Sequence, residues 1–184
     1  MTTVTCFATM KSPVGNLLLT SDGVSLTGLF PESHRDVPPR TSSWRRDDRW
    51  FSGVRDQLSA YFQGKLTRFA VPLAPEGTPF QQRVWTALQT IPCGQTETYG
   101  ELAKRLGSPQ ASRAVGLATG RNPVAIIVPC HRLIGADGSL TGYAGGLDIK
   151  RWLLEHELTH FGVRALPGLF AATPQVSVGR VALA

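Results

Sequence analysis

The stretch Thr98-Tyr99-Gly100-Glu101-Leu102-Ala103-Lys104-Arg105-Leu106-Gly107-Ser108-Pro109-Gln110-Ala111-Ser112-Arg113-Ala114-Val115-Gly116-Leu117-Ala118 decides the fold. Thr98 with Glu101 three residues on is a capping box, and it starts a helix carried through Leu102, Ala103 and Leu106. Gly107-Ser108-Pro109 then turns the chain, and the pattern predicts a second helix over 110–119. Two short helices about a glycine-containing turn make a helix-turn-helix. The second carries one charge, Arg113, among the small residues Ala111, Ser112, Ala114 and Gly116. A helix this thin packs closely, either inside its own protein or against a partner. The formal net charge of +6 favours an anionic partner. Phosphates favour both an arginine and the N-terminus of a close-lying helix.

Upstream, Thr78-Pro79-Phe80-Gln81 opens another helix with a Thr cap, Pro at the first position and Gln three residues after the cap. Phe80, Val84, Trp85 and Leu88 supply its buried face. Downstream, Asn122-Pro123 ends the helix-turn-helix. An apolar run follows, Ile126-Ile127-Val128-Pro129-Cys130-His131-Arg132-Leu133-Ile134, broken at Pro129. Ala136-Asp137-Gly138-Ser139 reads as a turn, and Thr141-Gly142-Tyr143-Ala144-Gly145-Gly146 as a loop able to wrap a planar group with backbone donors. A last helix is predicted over 148–158, with Ile149, Trp152 and Leu153 on one face and Lys150, Leu154 and Glu157 on a neighbouring one. Residues 165–184, with little charge and no period, are expected to form a loosely ordered tail.

The N-terminal part reads differently. Three short runs, 4–9, 15–20 and 23–30, are separated by Ser12-Pro13 and Asp22-Gly23, and predict a small antiparallel sheet. The stretch 34–49 mixes prolines, serines and charges without a period and is expected to be a surface loop. Phe51, Val54, Leu58, Tyr61 and Phe62 recur at helical spacing before Gly64, so a helix over 50–64 packs on the sheet. The prolines and glycine of 71–77 mark a linker. The expected organisation is an α/β domain over 1–75, a mainly helical domain over 76–164 and the tail.

Hydrophobic residues at 42% and charged residues at 17% suit a soluble, core-forming chain, and no stretch reaches the length of a membrane span. The first residues lack the pattern of a secretory signal, so a cytoplasmic location is expected. Three widely spaced cysteines, Cys6, Cys93 and Cys130, argue against a disulfide framework and against zinc.

Cys130 is either a small buried hydrophobe or a nucleophile. Pro129 stops any regular element from running through it, and His131 and Arg132 follow directly. Proton-accepting or cationic neighbours of this type lower a thiol pKa and supply thiolate.

Taken together, Pro129-Cys130-His131-Arg132, the preceding Arg113-Ala114-Val115-Gly116 and Asn122-Pro123, and the following Gly145-Gly146 resemble the methylated-DNA–protein-cysteine methyltransferases, the O6-alkylguanine-DNA alkyltransferases. The detailed match covers 78–158, whereas the N-terminal region resembles the family's smaller α/β domain in outline. The resemblance implies a small RNase H-like α/β domain followed by a helical domain with a winged-helix-like helix-turn-helix. It implies a single-turnover enzyme that moves the alkyl group of O6-alkylguanine, and of O4-alkylthymine, in duplex DNA onto Cys130 after flipping the base.

In that reading His131 and Glu157 form a relay with Cys130. Asn122 sits at the turn before the acceptor, and Tyr99 serves the phosphate and the guanine leaving group. Arg113 fills the gap left by the flipped base, and Ala111, Ser112, Ala114 and Gly116 face the minor groove. Tyr143, Ala144, Gly145, Val128 and Pro129 form the substrate pocket, with Lys150 supporting its loop. No cofactor, metal or membrane is implied, and the protein acts as a monomer on double-stranded DNA. Two departures stand out: Cys93 occupies a position where an aromatic is expected, and Ala144 lacks a hydroxyl that some members have there. A silent lesion-binding protein and a Cys-His hydrolase are the competing classes; the presence of Cys130 weighs against the first, and the lack of an oxyanion motif against the second.

Overall fold

The computed structural model describes residues 5–162, so the expected tail over 165–184 lies outside the described residues. The first unit is a sheet of order β3-β2-β1-β4 carrying one helix. β1 (Cys6–Ser12), β2 (Gly15–Ser21) and β3 (Leu26–Pro31) pair as antiparallel neighbours. β1 continues to Ser12, so the Ser12-Pro13 break belongs to the strand end and the turn is Pro13-Val14. β4 (Arg45–Arg46) lies inside the segment expected to be loop and pairs in parallel with β1 through Cys6 and Phe7. Two exposed arginines carry no strand pattern of their own; the open edge of β1 recruits them.

Helix α1 (Ser52–Phe62) buries Val54, Leu58 and Tyr61, as its spacing requires. It stops where Gly64 takes φ +70°. That left-handed turn lets Gly64 N–H donate to Tyr61 O at 2.9 Å and Lys65 N–H to Ala60 O at 2.8 Å. The segment over 71–77 is more than a linker: Leu26 N–H donates to Pro72 O, and Ala74 N–H donates to Leu26 O at 3.0 Å. It therefore runs beside β3 and satisfies that edge.

Helix α2 (Pro79–Leu88) carries the predicted capping box at Thr78 and Gln81, and its Trp85 indole donates to Ala118 O at 2.9 Å. After the short strand β5 (Glu97–Thr98) comes α3 (Tyr99–Arg105), then α4 (Ser112–Gly120). α4 begins two residues later than expected because Ser108, Pro109 and Gln110 are used in the turn, whose last hydrogen bond is Ala111 N–H to Ser108 O at 2.8 Å. Gly107 at φ +74° ends α3 in the same left-handed way as Gly64 ends α1.

The chain then forms a 3₁₀ turn over Cys130–Arg132 and a strand β6 (Leu133–Ile134), parallel to β5. α5 (Leu147–Phe161) closes the unit. Its buried residues are Lys150, Leu153, Leu154, His156 and Glu157, while Ile149 and Trp152 are only half-buried, so the face carrying Lys150, Leu154 and Glu157 is the more deeply buried of the two. The reason is that Glu157 and Lys150 have partners waiting inside. Among the described residues no helix is long and apolar enough to cross a membrane.

The two units share a main-chain seam. Leu29 N–H donates to Pro123 O at 2.8 Å, and Ala125 N–H donates to Leu29 O at 2.9 Å. β3 thus holds the segment that leads to Cys130.

The Thr98 cap joins β5 to α3, with Glu101 N–H donating to Thr98 Oγ1 at 3.2 Å and Thr98 N–H to the Glu101 carboxylate at 2.7 Å. Thr98→Ala should destabilise the protein by about 1 kcal/mol and lower the melting temperature by about 2–4 °C. An unchanged calorimetric melting curve would show that tertiary packing alone sets this helix start.

Candidate active site

Cys130 begins the 3₁₀ turn and is 6% exposed. The path to it is a succession of tight turns: Ile127 N–H donates to Ala125 O, Val128 N–H to Val124 O, and Cys130 N–H to Val128 O. Within it Ile126 adopts φ 70°, the single non-glycine residue in the left-handed region among those described. A β-branched side chain pays about 1–3 kcal/mol for that conformation, so the surrounding packing must enforce it.

Asn122 organises this turn. Its Oδ1 accepts from Val124 N–H at 3.0 Å, and its Nδ2 donates to Val128 O at 2.9 Å and reaches Cys130 Sγ at 3.2 Å. Burial pushes the Cys130 thiol up, opposed by the Asn122 contact and the Lys150 charge. Burial likewise pulls His131 below its ordinary value, against the nearby Glu157 carboxylate. At neutral pH the pair rests as thiol and neutral imidazole.

The His131 Nε2 lies 2.9 Å from Glu157 Oε1. Facing a carboxylate, Nε2 carries the proton, which leaves Nδ1 with a free lone pair. Nδ1 is buried and has no hydrogen-bond partner among the described residues. No hydrogen bond joins the His131 ring to Cys130 Sγ, so a direct thiol-imidazole pair is not the resting arrangement.

Arg132 differs from the sequence reading. Rather than standing beside the thiol as an activating cation, it turns the other way: Nε donates to Glu157 Oε2 at 2.9 Å, Nη2 to Oε1 at 2.8 Å and Nη1 to Ile91 O at 2.6 Å. Burial would raise the Glu157 carboxyl, but the bound His131 and Arg132 override it and hold the group far below the ordinary carboxylate range. Gly94 N–H also donates to Oε2 at 3.0 Å. Cys93 sits beside the same carboxylate, and burial first, then Glu157, pushes its thiol up to about 12. It is therefore a protonated, unreactive filler where an aromatic was expected.

A cleft of about 380 Å³ is lined by Arg35, Tyr99, Ser112, Arg113, Gly116 and the 141–144 loop, with Gly120 at its edge, and the Tyr99 and Tyr143 phenols of that lining lie within electrostatic reach of Cys130. Tyr143 and Ala144 line it. Val128, Gly145 and Lys150 are buried and add no surface to it. Pro129 lines a separate cleft beside Cys93 and Arg132. Ala111 and Ala114 also lie off the cleft, Ala111 as the residue before α4 and Ala114 exposed on it.

Tyr143 Oη is buried without a partner among the described residues, a hydrogen-bonding group left for a ligand. Tyr99 Oη is within 3.2 Å of Thr141 O and 3.4 Å of Gly142 O, so in the resting state it tethers the loop. Lys150 Nζ does the same through Thr141 O at 2.5 Å, and burial pulls its ammonium down to about 8. The N-terminal unit contributes Ser33, whose Oγ donates to Gly145 O at 2.6 Å, and Arg35, whose N–H donates to Ala144 O at 3.1 Å. Among the described residues no group of three or more His, Cys, Asp or Glu side chains is placed to hold a metal ion.

Two family models match this chain: the ribonuclease-like domain of 6-O-methylguanine DNA methyltransferase over residues 6–75, and the DNA binding domain of the same protein over residues 79–159. The chain belongs to the 6-O-methylguanine DNA methyltransferase family. A methylated-DNA–protein-cysteine methyltransferase of Mycobacterium bovis is 56% identical over 151 residues, covering 82% of this chain and 91% of that protein. One from Methanosarcina acetivorans is 53% identical over 153 residues, covering 82% and 97%. Among solved structures, Mycobacterium tuberculosis OGT in complex with DNA aligns with a TM-score of 0.81 at 55% identity over 84% of this chain and 94% of that one.

Within this methyltransferase framework the residues that sequence reasoning missed are Arg132 as the partner of Glu157, and Ser33, Arg35 and Tyr61 from the N-terminal unit, the last donating its hydroxyl to Glu157 Oε1 at 2.9 Å. Arg132 was visible but assigned to the wrong neighbour. The others carry no local motif.

Because the folded Glu157 carboxyl lies below its ordinary value of 4.5, its stabilisation is complete above that value and is lost as pH falls through the folded one. Glu157→Gln leaves the Arg132 guanidinium buried without a counter-charge, so stability at pH 7 should drop by about 3–5 kcal/mol. Urea unfolding should show that deficit narrowing below pH 4.5. An equal deficit at every pH would exclude the buried ion pair as its source.

Proposed function

We propose that this protein repairs DNA by taking an alkyl group from O6 of guanine onto Cys130, irreversibly and once per molecule. The observation that carries the reading is a buried thiol held by Asn122 and followed directly in the chain by an imidazole whose free Nδ1 is backed by Glu157. The relatives named above act as methylated-DNA–protein-cysteine methyltransferases, and one was solved with DNA bound.

The chemistry is a displacement at carbon. The thiol proton passes to His131 Nδ1 through one water, and Glu157 stabilises the imidazolium that forms. Sγ then bonds to the alkyl carbon while the carbon–O6 bond breaks, its electron pair going to guanine, which takes up one proton. Tyr99 leaves its loop carbonyls to donate at the leaving group. The thioether formed is not displaced under mild conditions, so the acceptor is consumed. O4-alkylthymine offers the same kind of carbon–oxygen bond.

The base must leave the stack to reach a thiol this deep, at a cost of roughly a few kcal/mol. The outward residues of α4 (Arg113, Ala114 and Leu117) are exposed, and small side chains beside Arg113 suit the narrow minor groove. Arg113, at the cleft, fills the vacated stack, and Ala111, Ser112, Ala114 and Gly116 face the minor groove. The working parts are residues 1–75 and 76–164, and the protein acts as a monomer in the cytoplasm.

Intact-protein mass spectrometry after incubation with duplex DNA containing O6-methylguanine should show a gain of one methyl group on the peptide containing Cys130. Cys130→Ser should abolish the gain and leave DNA binding intact, because the hydroxyl is far less ionised near neutral pH; methylation persisting in that variant would assign the acceptor elsewhere. Arg113→Ala should slow transfer from duplex DNA by at least about tenfold, or ~1.4 kcal/mol, and leave transfer from free O6-benzylguanine nearly unchanged. Equal slowing on both substrates would rule out the extrusion role.

A further inference from the structure

Three residues converge on Glu157 Oε1: His131 through Nε2 at 2.9 Å, Arg132 through Nη2 at 2.8 Å and Nε at 3.3 Å, and Tyr61 through its hydroxyl at 2.9 Å. Two of them follow the acceptor cysteine in sequence. The third comes from the other unit of the protein, on α1, 96 residues from Glu157. Tyr61 is completely buried and anchored twice. Its carbonyl accepts from His156 Nε2 at 2.8 Å, and its ring packs against His156 and Phe69 with centroids 5.2 and 5.5 Å away. Such a tyrosine is over-engineered for a packing role, since a phenylalanine would fill the same space without a hydroxyl to satisfy.

We propose that Tyr61 is a positioning residue of the acceptor site: its hydroxyl, delivered from the N-terminal unit, fixes the Glu157 carboxylate against His131 and limits how strongly it polarises the imidazole. The inference rests on the reading of Cys130 as acceptor and of His131 as its base.

The physical argument concerns a shared oxygen. A donor on Oε1 draws electron density from the carboxylate, and each further donor weakens the pull that Glu157 exerts on His131 Nε2–H. An imidazole pulled less strongly is less basic and stays unprotonated to lower pH, with Nδ1 free to accept the thiol proton. Burial, then the Glu157 charge, pushes the Tyr61 phenol well above its ordinary value, so it remains a donor throughout the working range. Arg132 supplies the countercharge; Tyr61 supplies direction without charge. The N-terminal unit therefore works inside the proton relay.

The test is the pH dependence of transfer, read with the His131 ring titration by NMR. Tyr61→Phe keeps the ring and its packing. Removing the donor should move the His131 titration, and the acid limb of the rate profile, upward by roughly half a unit to one unit. Transfer should slow by about threefold to tenfold deep on the acid limb, the size of that shift, and approach the wild-type rate above pH 8, on duplex DNA and free O6-benzylguanine alike. Fluorotyrosine placed at position 61 keeps the fold and the hydroxyl but donates more strongly, so both quantities should move downward. Phe69→Leu, which loosens the Tyr61 ring without touching Glu157, should lower the melting temperature and leave the pH profile in place. The proposal is overturned if fluorotyrosine leaves the His131 titration unmoved, or if Tyr61→Phe only scales the rate uniformly as Phe69→Leu does. Wild-type protein that gains no methyl group on Cys130 would instead refute the acceptor assignment, and the NMR titration would still judge Tyr61.

Discussion

A carboxylate buried to 1% exposure is costly in any fold, and Glu157 is tolerated because every direction around it offers a donor. Arg132 provides charge, Gly94 a main-chain N–H, His131 and Tyr61 the remaining partners. These residues come from α1, the loop after α2, the acceptor turn and α5. The single carboxylate thus sets the relative placement of four segments, and the acceptor turn takes its orientation from them. Its strength is also its fragility: no partner can leave without stranding a buried polar group.

The acceptor is kept quiescent by the same surroundings. A buried thiol beside a buried neutral imidazole holds no net charge, whereas a preformed thiolate-imidazolium pair would have to be desolvated permanently. Ionisation is thereby tied to the arrival of a substrate that excludes water and takes up the developing charge. The strained Ile126 and the Asn122 bonds hold Sγ in place meanwhile, so little rearrangement stands between binding and chemistry.

What could be read from the sequence was local. Thr78 with Gln81 and Thr98 with Glu101 announce helix starts within four residues, and both caps are present. Pro129-Cys130-His131-Arg132 announced an acceptor, because a thiol, a base and a break in regular structure are adjacent in the chain. Glu157 was reachable through its family resemblance, not through its spacing on α5. Arg132 was misread because neighbours in sequence were assumed to be neighbours in space, and a 3₁₀ turn sends consecutive side chains in different directions. Tyr61 looked like one more apolar position at helical spacing, since nothing on α1 signals a carboxylate 96 residues away. β4 was lost for a related reason: a two-residue strand is defined by its partner.

The seam between β3 and the segment before the acceptor is built from Leu29, Pro123 and Ala125 through peptide groups, and the 71–77 stretch joins Leu26 in the same manner. Bonds of this kind are blind to side-chain identity. The N-terminal unit can accumulate substitutions along this seam and still present the same rail to the acceptor turn. Mutational drift meets one hard limit there. Proline has no N–H to give, so at positions 26, 29, 74 and 125 it alone is barred by the backbone bond itself.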